Sequence, residues 1–192
     1  MSRREEILRA AVALATEQGT GALSVRAVAA RAGVGASTLR HYFPTQDELH
    51  HAVVGELFAP QVKDRRIADP SVDAGDRLTE CLAQFMPSED AEIPLLQGWL
   101  GLYANAVGRG DGDAGARLLE SLVLHARERV ETWLALLDAE GRLRPAPPGR
   151  HARTLLALLD GLCLALLAVP EDDALAEARA TLEDVVRRLV VA

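Results

Sequence analysis

The sequence predicts an all-α chain of about nine helices, divided into a small N-terminal domain (1–48) and a larger helical body (49–192). Three observations carry that expectation. Apolar residues recur at three- and four-residue spacing along most of the chain, and no segment alternates like a strand for long. A length of 192 residues with 49% hydrophobic content can fill a core in each part. Charge is polarised: of the net −7, residues 1–50 hold six arginines against five acids, +1, which leaves −8 for the rest. An acidic body repels a polyanion, so any nucleic-acid contact belongs to the N-terminal end.

The first helix carries the stripe Ile7, Leu8, Ala11, Leu14 and Ala15 and ends near Gly19 and Gly21, which makes it a brace for the two short helices after it. Its start, Met1-Ser2-Arg3-Arg4-Glu5-Glu6, lacks the apolar core of a signal peptide. Cys81 and Cys163 are too few for a disulfide framework, so buried thiols in a reducing cytoplasm are expected. Ser24 is placed to cap a second helix whose apolar side is Val25, Val28, Ala29 and Ala32, and Gly33 stops it by taking positive φ without a Cβ clash. A third helix over 35–43 opens with Gly35, Ala36, Ser37 and Thr38, small or hydroxylic groups that let a backbone approach a groove floor. Leu39 and Phe43, four apart, pin its inner side, while Arg40, His41 and Tyr42 lie on the outward arc. Two short helices, a tight turn and a further helix after Pro44 are the parts of a helix-turn-helix reader of duplex DNA.

At these residues the chain resembles the TetR family of transcriptional regulators: Ala32-Gly33-Val34, Ser37-Thr38-Leu39, His41-Tyr42-Phe43-Pro44 and Asp47-Glu48-Leu49 look like that family's N-terminal signature. The resemblance implies a homodimer on a near-palindromic operator, with a helical body that binds a small-molecule effector and alters the grip on double-stranded DNA. Carried over by position, it makes Arg26, Ser37, Thr38, Arg40, His41, Tyr42 and Gln46 the expected DNA-facing set. The family usually has an aromatic where Arg40 stands and a lysine where Gln46 stands. Losing the lysine removes a phosphate cation; Arg40 either compensates or reads a base such as guanine.

The fourth helix is expected over 46–66, with Asp47 and Glu48 at its positive end and Leu49, Val53 and Leu57 as a seam. His50 and His51 point about 100° apart on a helix and cannot chelate one ion from the same face, so they read as surface histidines and no metal or cofactor is expected. Further helices are expected over 72–86, 91–107 and 113–139. The run Gly108-Arg109-Gly110-Asp111-Gly112-Asp113 reads as a turn, not a calcium loop, because Leu122 stands where a bidentate Glu is needed. Phe85, Met86, Trp99, Tyr103, His125 and Trp133 are scarce aromatic or polar groups on three successive helices, the inventory of a small-molecule pocket.

After Pro145, Pro147, Pro148 and Gly149 comes a helix whose core 155–167 is apolar nearly all round yet too short, and interrupted by Asp160, for a membrane span. Ala157, Gly161 and Ala165 recur every four residues along it. With Leu182, Val186 and Leu189 of a last helix over 172–190, they are the expected dimer interface, a four-helix arrangement about a two-fold axis. The reading is thus a ligand-released repressor, with an activator built from the same parts as an alternative. An all-α enzyme or carrier of apolar molecules has a similar composition, but the chain shows no His-Glu zinc helix, no phosphate-cradling loop and no glycine-framed nucleophile.

Overall fold

The computed structural model describes residues 2–18, 20–58, 62–93, 96–97, 100–101, 103–104, 114–168 and 171–191. Regular structure among them is helical, apart from one isolated antiparallel bridge between Leu143 and Val190. The chain forms two compact units, Met1–Gln61 with Leu102–His125, and Val62–Gly101 with Ala126–Ala192.

In the first unit, α1 (Arg3–Gln18) is followed by a 3-10 turn, Thr20–Ala22, and packs on α2 (Val25–Ala32) and α4 (Gln46–Phe58). Between α2 and α4 lies α3 (Ala36–Tyr42), which contacts α2. Ile7, Ala11, Val28, Leu39, Leu49 and Val53 are fully sealed in this core. The small side chains among them let the helices approach closely. The helix expected to reach residue 66 spans Gln46–Phe58, and residues 62–64 are already non-helical. Pro60 stands between the two. A proline lacks the amide that continues a helix and pushes its predecessor out of the α region, a signal the apolar periodicity obscures.

The second unit opens with a loop in which Ile67 is buried and Arg65 takes a positive φ of 42°. It leads into α5 (Ala74–Leu82), shorter than the expected 72–86. Asp73 caps it, its carboxylate accepting from the amides of Gly75 at 2.8 Å and Asp76 at 3.2 Å, and the far end tightens into a 3-10 turn, Ala83–Phe85. Of the helix expected over 91–107, the described part is a 3-10 turn, Asp90–Glu92, and helical residues at 96–97, 100–101 and 103–104. Trp99 and the run 108–113 lie outside the described residues. Next comes α6 (Ala114–Ala139), closed by Gly141 at φ 70°. Then α7 (Pro148–Ala168) and α8 (Ala174–Leu189) pack on one another, and α8 also packs on α5.

Trp133, Leu134, Leu137, Leu78, Leu82 and Leu155 form the centre of this unit. Beside them sits an arginine, Arg77, only 2% exposed, which donates to the Ile67 carbonyl at 2.7 Å and makes a two-pronged pair with Glu140. The bridge is a feature that helical periodicity cannot show: the Arg144 amide donates to the Leu189 carbonyl and the Val191 amide to that of Arg142, both at 2.9 Å. The α7 helix proves longer than its apolar core, and Gly149–Ala168, with a mean hydropathy of 1.5, is long and apolar enough by composition to cross a membrane. In this fold Ala152, Leu155, Leu159, Cys163 and Leu166 turn its inner side into the core of the second unit.

Candidate DNA interface and effector region

The reader is built from local signals. Ser24 Oγ accepts from the Ala27 amide at 3.2 Å, which starts α2, and Gly33 at φ 65° ends it with amide bonds back to Ala29 and Ala30. After that turn α3 is held by Leu39, fully buried, and by Phe43, 1% exposed, whose amide closes the helix by donating to the Leu39 carbonyl at 2.8 Å. Fixing one side leaves the other outward: Ser37, Arg40 and His41 are exposed, Thr38 is half-buried, and Tyr42 leans on the core with its ring edge-on to His41, centroids 5.0 Å apart. Arg26 is exposed on α2. Other arginines of the reader are partly engaged. Arg3 pairs with Glu6 at 2.7 Å, Arg31 donates to Glu17 at 2.8 Å, and the Arg4 guanidinium lies 4.9 Å over the Phe43 ring. The hydrogen bond from Arg31 holds the Glu17 carboxyl below its usual range.

Gln46 is half-buried, and its amide donates to the Leu23 carbonyl at 2.9 Å. It ties the start of α4 to the segment just before α2, so in this structure its donor is engaged internally. His50, a surface residue by sequence, is instead 1% exposed, its Nε2 3.3 Å from the same Leu23 carbonyl. Burial pushes its pKa below the usual value, opposed by that hydrogen bond. A buried ring four residues after Gln46 is within reach of helical periodicity, but the adjacent His51 masks the pattern.

The expected effector residues divide between the units. Phe85, Met86 and Trp133 come together in the second unit, with the Phe85 and Trp133 rings 6.2 Å apart and the Trp133 Nε1–H donating to Asp64 at 2.8 Å. Tyr103 and His125 belong to the first unit. His125 is partly buried, with Nδ1 2.8 Å from the Ser121 carbonyl. Sequence reasoning misses a polar cleft of about 170 Å³ lined by Ser71, Asp73, Arg77, Glu140 and Arg142. It is assembled from residues more than sixty apart in the chain, which no local pattern connects.

Of the expected interface, Ala157, Gly161 and Ala165 are exposed on α7, together with Leu164 at 49%. Leu182 and Val186 require a correction: both are fully buried in the chain's own core, where α8 packs against α5 and α7, so a partner cannot touch them. Leu189 is half-buried, and its carbonyl is taken by Arg144. A stripe read from periodicity does not say which neighbour it meets.

Residues 7–53 match the family described as bacterial regulatory proteins, tetR family, and residues 74–191 match the C-terminal domain of BetI-type transcriptional repressors. Similar proteins include the HTH-type transcriptional regulator PksA of Bacillus subtilis, 27% identical over 88% of this chain and 80% of that one. The HTH-type nicotine-responsive transcriptional repressor HdnoR of Paenarthrobacter nicotinovorans is 26% identical over 90% and 87%. Among solved structures, a TetR-family regulator from Rhodococcus sp. superposes with a TM-score of 0.58 at 24% identity, and a regulator from Saccharomonospora viridis in complex with choline with 0.59 at 19%, each over 98% of both chains. With a capped α2, a glycine turn and an outward-facing α3 at one end, and a helical body matched almost to its last residue at the other, the chain belongs to the TetR family of bacterial transcriptional regulators.

Proposed function

We propose that this chain is a homodimeric repressor that grips a near-palindromic operator through α3 and is released when a small molecule enters its helical body. The asymmetry of α3 is the observation that supports this reading. Leu39 alone is buried within the helix, and the arc Ser37, Arg40 and His41 is presented outward with Thr38 and Tyr42 at its margins. Hydroxyls, a guanidinium and an imidazole are the groups that phosphates and base edges recognise. Arg26 adds a cation from α2. Gln46 positions the start of α4 through the Leu23 carbonyl.

The effector reading rests on the Phe85, Met86 and Trp133 group, which suits a ligand with an apolar or aromatic body. Pairing of two chains through α7 rests on the exposed small residues Ala157, Gly161 and Ala165. A Cβ on Gly161 would meet nothing within 4 Å in the chain itself. Gly161→Arg should therefore fold as the parent does and sediment as a monomer; a dimeric Gly161→Arg protein would move the interface elsewhere.

The test of the reader is a mobility shift with DNA flanking the protein's own gene across a salt series. Saturable binding to one short near-palindrome, weakening steeply with salt, is expected. Arg40→Ala should cost about tenfold in affinity, and reduce the salt slope by about one if Arg40 meets a phosphate. Failure to bind any sequence in a random pool at low salt would overturn the reading.

A further inference from the structure

We propose that Arg4, in the first turn of α1, is a phosphate contact of the reader, held beside the C-terminal end of α3 by the ring of Phe43. The inference rests on α3 as the recognition helix and adds to it a cation from a helix whose spacing marks it only as a brace. Both residues lie within the first compact unit. Local charge sets Arg4 apart. Along a helix, ion pairs form between residues three or four positions apart. Arg3 has Glu6 at that spacing and pairs with it at 2.7 Å, while Glu5 accepts from the Ser2 amide at 2.8 Å. At the same spacing Arg4 meets Ile7 and Leu8, both buried, so its own face offers it no acid. None of the ion pairs among the described residues involves Arg4.

What holds Arg4 is an aromatic face: its guanidinium carbon lies 4.9 Å from the centroid of the Phe43 ring. Phe43 is 1% exposed and closes α3, so the ring is a fixed platform. A cation is attracted to such a face, which limits where the side chain goes, while its charged head stays in water. Arg4 is itself exposed. Unlike a carboxylate, the ring offers no oxygen to take up the guanidinium N–H donors. Arginine carries five of these in a planar fork that matches phosphate oxygens. The position suits the task as well. With seven residues at about 1.5 Å each, α3 is roughly 10 Å long, against a major groove about 12 Å wide. A group anchored at the residue that caps α3 therefore stands near the wall of the groove, where the phosphates are. Arg40 and His41 are exposed in the last turn of α3, three and two residues before Phe43, and Arg4 extends that basic edge. A cation there adds affinity and fixes the orientation of α3 without reading a base.

The test uses the purified full chain and two duplexes of equal length, one carrying the site the parent protein selects from a random pool and one with that site scrambled. Affinities are measured by mobility shift across a salt series. Arg4→Gln should weaken binding about five- to tenfold on both duplexes and lower the salt slope by about one per bound chain. Arg4→Lys keeps a cation and should keep the slope. Arg187→Gln, on the exposed surface of α8, should leave affinity and slope at the parent values. Parent affinity in Arg4→Gln overturns the proposal and leaves α3 as the reader. A loss with the parent's salt slope also overturns it, because Arg4 then acts only by packing on Phe43. A loss confined to the selected site assigns Arg4 to a base and overturns the phosphate role. Selection of no site by the parent protein overturns this inference together with the reading of α3.

Discussion

Inside the N-terminal unit the Leu23 carbonyl is shared by two neutral donors, the Gln46 amide and the His50 ring, whereas inside the C-terminal unit two buried donors, the Arg77 guanidinium and the Trp133 indole, are held by carboxylates. There Arg77 faces Glu140 and the Ile67 carbonyl, and Asp64 accepts from both Trp133 and Arg129. The reader keeps its cations on the outside: Arg26 and Arg40 are exposed, and Arg3 and Arg31 are in surface pairs. Exposed pairs of that kind are weakened by water and salt, so a phosphate competes with the carboxylates at little cost. A guanidinium locked in the core adds nothing to a DNA-binding face. Arg77 thus serves the fold of the body from inside, while Arg26 and Arg40 of the reader are turned outward for contact.

Three measurements bear on that contrast, in descending order of size. Glu140→Ala strands the Arg77 guanidinium against a single carbonyl, and should destabilise the second unit by about 3 kcal/mol in urea unfolding. A stability within about 0.5 kcal/mol of the parent would mean that the charge is not what holds that core. Ser24→Ala removes the reader's cap and should cost about 1 kcal/mol, with weaker operator binding as the second readout. Weakest of the three is a pH dependence. His50 has a folded pKa below its unfolded value, which is near 6.5. Below that pH the unfolded chain takes up a proton that the folded chain resists, so stability falls as pH falls, until the folded pKa is passed. His50→Gln should flatten the acid limb of denaturation midpoints measured between mildly alkaline and mildly acidic pH; an unchanged slope would assign the limb to other groups.

The reader is legible in the sequence because its signals are local. Ser24 before an apolar run, Gly33 at its end, and Leu39 with Phe43 four apart each act within one turn of chain, and each does in the structure what its position implies. Features hidden from the sequence depend on pairs far apart. Arg77 and Glu140 are 63 residues from one another, Trp133 and Asp64 are 69 apart, and His51 meets His125 across two helices. The last helix marks the limit most clearly. Its stripe of Leu182, Val186 and Leu189 is plain in the spacing, yet Leu182 and Val186 are sealed in the chain's own core, where α8 packs on α5 and α7, and Leu189 is only half-buried. Periodicity fixes a face, and only the tertiary fold says what covers it.

The two cysteines make the protein simple to label elsewhere. Burial pushes the Cys81 thiol up to about 12 and the Cys163 thiol up to about 11, and each sulfur is directed at a backbone carbonyl. At neutral pH roughly one Cys81 in a hundred thousand is a thiolate, so thiol-directed reagents should leave the native protein unlabelled. A cysteine introduced on the exposed arc of α3 would then react alone. A fluorophore or spin label placed there would report the spacing of two recognition helices on DNA, with no native cysteine removed.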